Sequence, residues 1–148
     1  MNLSKQAQVG AYGRQRSKCS TGSTVALKRN LDRIFSQFIR ERDRTGDYFT
    51  CSTCAGVKPY EQMDAGHFQN RRHLGTRYDE QNVHGQCRSC NRFDEGRQYE
   101  MGQYIDKKYG AGTAKKLICL ARMPSKVDAM WYSTMIDHYK SELKRMKK

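Results

Sequence analysis

Two cysteine pairs constrain this chain more than any other feature of its sequence. Cys51 and Cys54 form one Cys-x-x-Cys pair, Cys87 and Cys90 form another, and 32 residues separate the two pairs. Four thiolates presented by two tight turns are the ligand set of a closed tetrahedral zinc site. Because sulfur fills all four positions, we expect a structural zinc ion with no open position for water. The alternative is four unligated thiols or disulfides.

The length and composition indicate one small α+β domain that needs such a metal. The chain has 148 residues, and only 36% of them are hydrophobic, so the core is modest. A structural zinc ion is worth on the order of 10 kcal/mol of folding free energy. We predict a flexible basic arm over 1–23, a helix over 24–45, a zinc-bound core over 48–98 and a helical part with a basic tail over 99–148. The alternative for the arm is a terminus with no role.

The charge of the chain points to a polyanionic partner. The formal net charge is +13 and the pI is about 9.7, which is typical of proteins that bind nucleic acid. The alternative is a generally basic, soluble surface. The side chains that we expect to contact DNA lie in the arm and in the polar loop 69–81. They are Arg14, Arg16, Lys18, Arg71, Arg72 and Arg77.

No apolar run in the sequence approaches the roughly 18 residues that a membrane-spanning helix needs. The first 22 residues are polar and do not resemble a signal peptide. We therefore expect a cytoplasmic protein with no membrane partner. In that reducing compartment, paired Cys-x-x-Cys motifs favour metal binding over disulfides.

Polar side chains with metal-binding and acid–base chemistry crowd a predicted hairpin and the helix after it. We expect strands near 62–68 and 82–86, and a helix over 90–109. Asn91 and Glu95 are four residues apart, so they would share one face of that helix. Oxygen atoms are suitable ligands for a hard cation such as magnesium, and a neutral histidine beside that cation can act as a general base. The alternative is a set of ordinary solvated side chains. The group comprises Asp64, His67, His84, Asn91, Asp94 and Glu95.

The order of these motifs resembles the HNH, or His-Me finger (ββα-metal), nucleases. Within that class the chain looks closest to the NinG/Rap proteins of lambdoid phages, and the stretch CRSCNRFDEG is also similar to the phage endonuclease VII type. The resemblance covers about residues 30–110. The residues that carry it are Cys51–Cys54, Ala65–Phe68, Arg77–Asp79, Asn82–Cys87 and Cys90–Asn91.

The resemblance implies a role for several of these positions. His67 would be the general base, Asn82 would orient the loop or the base, and Asn91 would be a ligand of a catalytic Mg²⁺ or Mn²⁺ ion. Many relatives have a metal-binding Asp directly before the catalytic His, whereas this chain has Gly66 there. Three side chains are therefore open candidates for the missing ligand, namely Asp64, Glu95 and His84.

The resemblance also implies an activity and a substrate. We expect a metal-dependent endonuclease that hydrolyses phosphodiester bonds in branched DNA, such as Holliday junctions and D-loops, during phage recombination. One alternative is a non-catalytic zinc-ribbon DNA-binding protein. Another is a sequence-specific homing or restriction HNH enzyme.

A homodimer would match the two-fold symmetry of a four-way DNA junction. The predicted first helix offers a stripe for such an interface, because Leu27, Leu31, Ile34 and Phe38 follow the 4-3-4 spacing of a coiled-coil seam. The alternative is that this stripe packs inside one chain, either on the zinc-bound core or on the helix that contains Trp131.

Overall fold

Helices and short antiparallel strands alternate along this chain, which makes it a mixed α+β protein. The computed structural model describes residues 23–147, so Arg14, Arg16 and Lys18 of the predicted arm lie outside the described residues. In chain order the elements are α1 (Thr24–Asp43), β1 (Arg44–Thr45), β2 (Tyr48–Thr50), β3 (Val57–Pro59), a 3₁₀ turn (Tyr60–Gln62), β4 (Met63–His67), α2 (Leu74–Arg77), β5 (Val83–Cys87), a π-helical turn (Ser89–Phe93), α3 (Gln98–Tyr109), α4 (Thr113–Arg122) and α5 (Ala129–Met146).

The first and last helices pack against each other and form the largest core. The buried residues of α5 are Tyr132, Ile136, Tyr139 and Leu143, and they repeat the 4-3-4 spacing of the α1 stripe. Aromatic rings interlock between the helices, with the Tyr139 ring centroid 5.0 Å from that of Phe35 and 4.8 Å from that of Phe38. The seam that suggested a dimer is therefore buried inside a single chain, on the helix that begins near Trp131.

Two small antiparallel sheets carry the cysteine pairs. β1, β2 and β3 form a three-stranded sheet, and β4 pairs with β5 alone, from Met63 opposite Cys87 to His67 opposite Val83. A second core beside the cysteines contains Phe49 and Met63. A third core joins Phe68 to α3 and α4. Because α1 also contacts both strands of the hairpin, every core touches the segment that bears the predicted site.

The predicted continuous helix over 90–109 is wrong. A π-helical turn ends at Phe93, and α3 starts only at Gln98. Between them Glu95, Gly96 and Arg97 all have positive φ, at 50°, 78° and 48°, which an α-helix does not tolerate. Asn91 and Glu95 therefore do not share a helix face. Among residues 23–147, no helix is both long and apolar enough to cross a membrane.

The packing of α1 generates the first prediction. Leu31 is 0% exposed, so Leu31→Arg would bury an unpaired charge and lower the free energy of unfolding by roughly 3–5 kcal/mol. We expect loss of the cooperative transition in chemical denaturation rather than a folded monomer. Val25→Arg is the matched control, because Val25 is 59% exposed on the same helix. A folded Leu31→Arg chain with unchanged stability would contradict this packing.

Candidate metal centre and adjoining polar cleft

The four cysteines of the two pairs converge on one point. Cys51 directly follows β2 and Cys87 is the last residue of β5, while Cys54 and Cys90 lie in the turns that follow. The four Sγ atoms all lie within 4.8 Å of one another. A tetrahedral zinc ion with bonds of about 2.3 Å holds its sulfurs about 3.8 Å apart, so a small closure of this group suffices. The predicted four-cysteine group is confirmed as one that can hold a structural metal such as zinc.

The thiols themselves favour a bound cation. Burial acts to raise the pKa of Cys51, but the backbone N–H groups of Cys54 and Cys87 donate to its Sγ and hold the pKa below its usual value. Burial raises the pKa of Cys87, and the neighbouring thiol groups raise it further. Without a metal ion, the protein therefore favours ionisation of Cys51 and opposes ionisation of Cys87. A divalent cation at the centre reverses that opposition.

A polar cleft of about 500 Å³ runs along β4, next to the cysteine group. Asp64 and His67 reach it from β4, and Asn91 reaches it from the π-helical turn, one residue after Cys90. Glu95 lines it from the loop with positive φ. The cleft thus gathers four of the six predicted polar residues. Its other lining residues include Ser36, Arg40, Met63, Ala65, Asn70, Arg71, Arg92 and Gln98.

His67 is held in the neutral form that a general base requires. Its Nε2 lies 3.1 Å from the carbonyl oxygen of Arg77. A carbonyl can only accept, so Nε2 carries the proton and Nδ1 keeps the free electron pair. Burial lowers the pKa of His67, and the charges of Arg71 and Arg77 lower it further, against the opposing carbonyl bond. The ring is therefore unprotonated at neutral pH.

Asp64 and Asn91 form the oxygen-rich part of the cleft. The Asp64 Oδ2 atom accepts a hydrogen bond of 3.1 Å from Asn91 Nδ2. Arg92 also donates to both carboxylate oxygens, at 2.7 and 2.8 Å. Although burial opposes the charge, the bonds from Arg92 and Asn91 lower the pKa of Asp64. The carboxylate is thus ionised and paired with an arginine that is itself 55% exposed.

The structure explains why glycine occupies position 66. A Cβ atom there would lie 2.1 Å from Oε1 of Gln86, which is fully buried. The Gln86 side chain donates a hydrogen bond of 2.7 Å to the carbonyl oxygen of Gly96 and so holds the loop that carries Glu95. An aspartate at position 66 would have to displace Gln86. The carboxylate that the resemblance places before the histidine is therefore sterically excluded here.

Asn82 holds the loop beside the histidine and does not line the cleft. It is 0% exposed. Its side chain accepts from the N–H of Gln69 at 2.7 Å and donates to the carbonyls of Gln69 and Thr76 at 3.0 and 2.9 Å. Its own carbonyl accepts from the N–H of Phe68 at 2.8 Å. These bonds tie together the two ends of the segment between β4 and β5, directly after His67.

His84, one of the candidate metal ligands, does not belong to the cleft. It is 0% exposed on β5 and does not line the cleft, and Arg42 Nη2 lies 3.0 Å from its Nδ1. Its Nε2 lies 3.1 Å from the carbonyl oxygen of Gln81. Arg42 also pairs with Asp43, whose carboxylate accepts from the N–H of Gly85 at 2.7 Å. His84 therefore joins a network that fixes the end of α1 to β5.

Arg77, one of the predicted DNA contacts, is structural. Its side chain is buried and forms two bonds of 2.6 and 2.8 Å to Asp32 of α1. Tyr78 donates to the same carboxylate at 2.8 Å. Arg71 and Arg72 remain exposed, and Arg71 lines the cleft.

Sequence reasoning missed two arginines of the cleft. Arg92 was discoverable because it follows the predicted ligand Asn91 directly. Arg40 gave no such signal, because its place beside the hairpin depends on how α1 packs.

The four-cysteine group and the polar cleft beside it define a small α+β protein built around a candidate structural zinc site. No solved structure matches it. The chain belongs to the family described as Bacteriophage Lambda NinG protein, which matches residues 4–148. The predicted NinG resemblance is thereby confirmed, whereas the HNH and Rap resemblances stay predictions.

Curated relatives from three phages match a shorter part of the chain. Each is named Protein ninG, from Escherichia phage 933W, Enterobacteria phage VT2-Sa and Salmonella phage P22. In each case 60 residues are 40% identical, which is 40% of this chain and 28% of the relative. The chain therefore matches these relatives over less than a third of their length.

The cysteine geometry generates the second prediction. Cys87→Ser removes one thiolate from the closed site, and the chain should lose its zinc and its cooperative unfolding transition. Cys119→Ser is the matched control, because Cys119 is exposed on α4 and lies outside the group. Metal analysis should find about one zinc ion per wild-type chain. A folded, zinc-free wild-type protein would contradict the prediction.

Proposed function

We propose that this protein is a metal-dependent DNA endonuclease and that the polar cleft is its active site. The observation that carries the proposal is the meeting of a neutral His67, an ionised Asp64 and Asn91 in one cleft. Arg40, Arg71 and Arg92 line the same cleft. Neutral imidazole, oxygen ligands and arginines are the groups that hydrolysis of a phosphodiester requires.

The reaction would start with His67. Its Nδ1 would accept a proton from a water molecule, and the oxygen would attack the phosphorus in line with the leaving 3′ oxygen. The Arg77 carbonyl, bonded to Nε2, would hold the ring in the correct tautomer and stabilise the imidazolium that forms. The P–O3′ bond would break, the leaving oxygen would take a proton from water, and the products would carry 5′-phosphate and 3′-hydroxyl ends.

Asp64 and Asn91 fit a hard divalent cation such as Mg²⁺ or Mn²⁺. The carboxylate and amide already face each other, and a 180° rotation of the amide would present Oδ1 beside Asp64. Such an ion would supply charge stabilisation for the phosphorane and the leaving oxygen. Arg92 would have to release Asp64, which its exposed position allows. Of the three open candidates, this contact favours Asp64 over Glu95, and the burial of His84 removes it.

The arginines would position the nucleic acid. Guanidinium groups bind phosphate oxygens through two parallel N–H bonds, and three of them line the cleft. The net charge of +13 strengthens attraction to the DNA backbone without selecting a sequence. A backbone-binding cleft suits a structure-specific enzyme better than a homing or restriction enzyme.

Branched DNA is the substrate that the NinG/Rap resemblance suggests, with four-way junctions and D-loops as its forms. A homodimer would place two cuts symmetrically across such a junction. Since the α1 stripe is buried within the chain, the dimer would need another surface. Sedimentation with and without four-way DNA tests this, and a 17.2 kDa species in both cases would rule the dimer out.

The third prediction tests the base. His67→Ala should lower the rate of magnesium-dependent cleavage of branched DNA by roughly 100- to 10,000-fold, because general-base catalysis contributes a rate factor of that size. DNA binding and zinc content should stay at wild-type levels. The measurement is a cleavage assay on linear, forked and four-way DNA. His138→Ala is the matched control, because His138 is exposed on α5, outside the cleft.

The pH profile separates a base from a structural histidine. Only the neutral ring accepts a proton, and burial lowers the pKa of His67. Wild-type cleavage should therefore rise as the pH rises through that lowered pKa, and it should reach its plateau at a lower pH than an unperturbed histidine would give. Cleavage by His67→Ala within threefold of wild type would refute the mechanism. Tight DNA binding without cleavage by the wild type would instead favour a non-catalytic zinc protein.

The fourth prediction ranks the carboxylates. Asp64→Ala should raise the magnesium concentration for half-maximal cleavage at least tenfold, because it removes the carboxylate that faces Asn91. Glu95→Ala is the comparison, with a smaller effect, since Glu95 lines the same cleft from an exposed loop. Magnesium titration of both variants, with zinc content measured in parallel, decides between them. Equal behaviour of Asp64→Ala and wild type would place the cation elsewhere.

A further inference from the structure

A second groove, of about 450 Å³, opens beside the polar cleft. Gln98 lines both, so the cleft and the groove meet at this residue. The chain also connects them, because His67 of the cleft is followed by Phe68 of the groove. The groove lies over the start of α3. Its lining residues are Phe68, Gln69, Gln98, Tyr99, Gly102, Gln103, Asp106 and Ile118.

The groove combines an exposed aromatic face with amide groups. Tyr99 is 74% exposed, although large aromatic side chains are usually covered. Its hydroxyl accepts a hydrogen bond of 3.0 Å from Gln103 Nε2, which holds the ring in place. Across the groove lies Phe68, only 6% exposed. The amides of Gln69 and Gln98 complete the rim, and each offers both donors and an acceptor.

Close packing at Gly102 and hydrogen bonds at Gln69 fix the shape of the groove. Position 102 carries no side chain, and a Cβ there would lie 3.3 Å from the Phe68 ring. The backbone of Gln69 is held on both its N–H and its carbonyl by Asn82. Asn82 therefore positions the rim of the groove as well as the loop after His67. A preformed site binds without the cost of ordering these groups.

We propose that this groove binds an unpaired nucleobase of the DNA whose phosphate lies in the cleft. This inference rests on the proposed function and names the structural feature that the enzyme would recognise. Aromatic faces stack on bases of any sequence, and amides hydrogen-bond to base edges. A base becomes available for stacking where the duplex is interrupted, as at a branch or a bulge. The groove thus selects interrupted DNA while the arginines hold the backbone.

The position of the groove argues for a base rather than a second protein chain. It is continuous with a basic cleft, and three amides interrupt its apolar surface. Tyr99 stands at the start of α3, beside Gln98 of the cleft, so a nucleotide chain can reach both sites at once.

The test compares binding of two DNAs that differ by one unpaired base. A duplex with a single-base bulge and its fully paired counterpart are titrated with the full chain, without added magnesium, so that binding is measured apart from cleavage. We expect the wild type to prefer the bulged duplex, and Tyr99→Ala to reduce that preference about tenfold. Tyr99→Trp should retain it, because tryptophan also stacks.

Tyr48→Ala is the matched control, since Tyr48 is 56% exposed on β2 and lies outside the groove. A photoreactive 5-bromouracil at the bulge should cross-link to Tyr99 in the wild type. An unchanged preference in Tyr99→Ala, or cross-linking only outside the groove, would overturn the proposal. So would a wild-type dimer that Tyr99→Ala dissociates without DNA, because the groove would then be a self-interface.

The same variants separate this inference from the proposed activity. If the wild type never cleaves but keeps a bulge preference that depends on Tyr99, the groove stands and the endonuclease proposal fails. If the wild type cleaves and Tyr99→Ala keeps the preference, the groove fails alone. If the wild type binds no DNA at all, both fail.

Discussion

The convergence of four cysteines is the constraint on which the rest of the structure depends. It joins the turn after β2 to the end of β5 and to the π-helical turn. Asn91 follows the last cysteine directly, so the metal-binding group sets its position relative to β4. A chain with so few apolar residues cannot fix that geometry by core packing alone. A metal ion held by the four cysteines and the cation proposed for chemistry would therefore have separate ligands.

Five arginines around the hairpin fall into two groups with different physical roles. Arg42 and Arg77 are buried and pair with Asp43 and Asp32, and they anchor α1 to the hairpin and its loop. Removing either partner would leave an uncompensated charge, which is costly. Arg40, Arg71 and Arg92 line the cleft, where Arg71 is exposed and Arg92 pairs with Asp64. A sum of charges over the sequence does not distinguish these groups.

Two buried amide side chains, those of Gln86 and Asn82, each hold a loop beside the hairpin. Gln86 occupies the space beside Gly66 and reaches the loop of Glu95, while Asn82 clamps Gln69. Gln86 Oε1 has no hydrogen-bond partner among the described residues and lies against the glycine. Gly66 is thus required by packing, which accounts for its place where a carboxylate was expected. Each amide fixes a loop on which the cleft or the groove depends.

The sequence by itself determined the metal-binding group and five residues of the cleft, namely Asp64, His67, Arg71, Asn91 and Glu95. Cys-x-x-Cys spacing is local chemistry, and Asn91 directly follows Cys90, so the cysteine group brings it toward the strand that carries Asp64 and His67. Only the tertiary structure decided whether His84 lines the cleft, whether the Arg77 side chain is available to a ligand, and which helix packs on the α1 stripe. Those outcomes depend on partners distant in the chain, namely Arg42, Asp32 and α5. The break at Glu95–Arg97 was likewise hidden, because a buried glutamine ten residues away holds that loop in a conformation that local propensity disfavours.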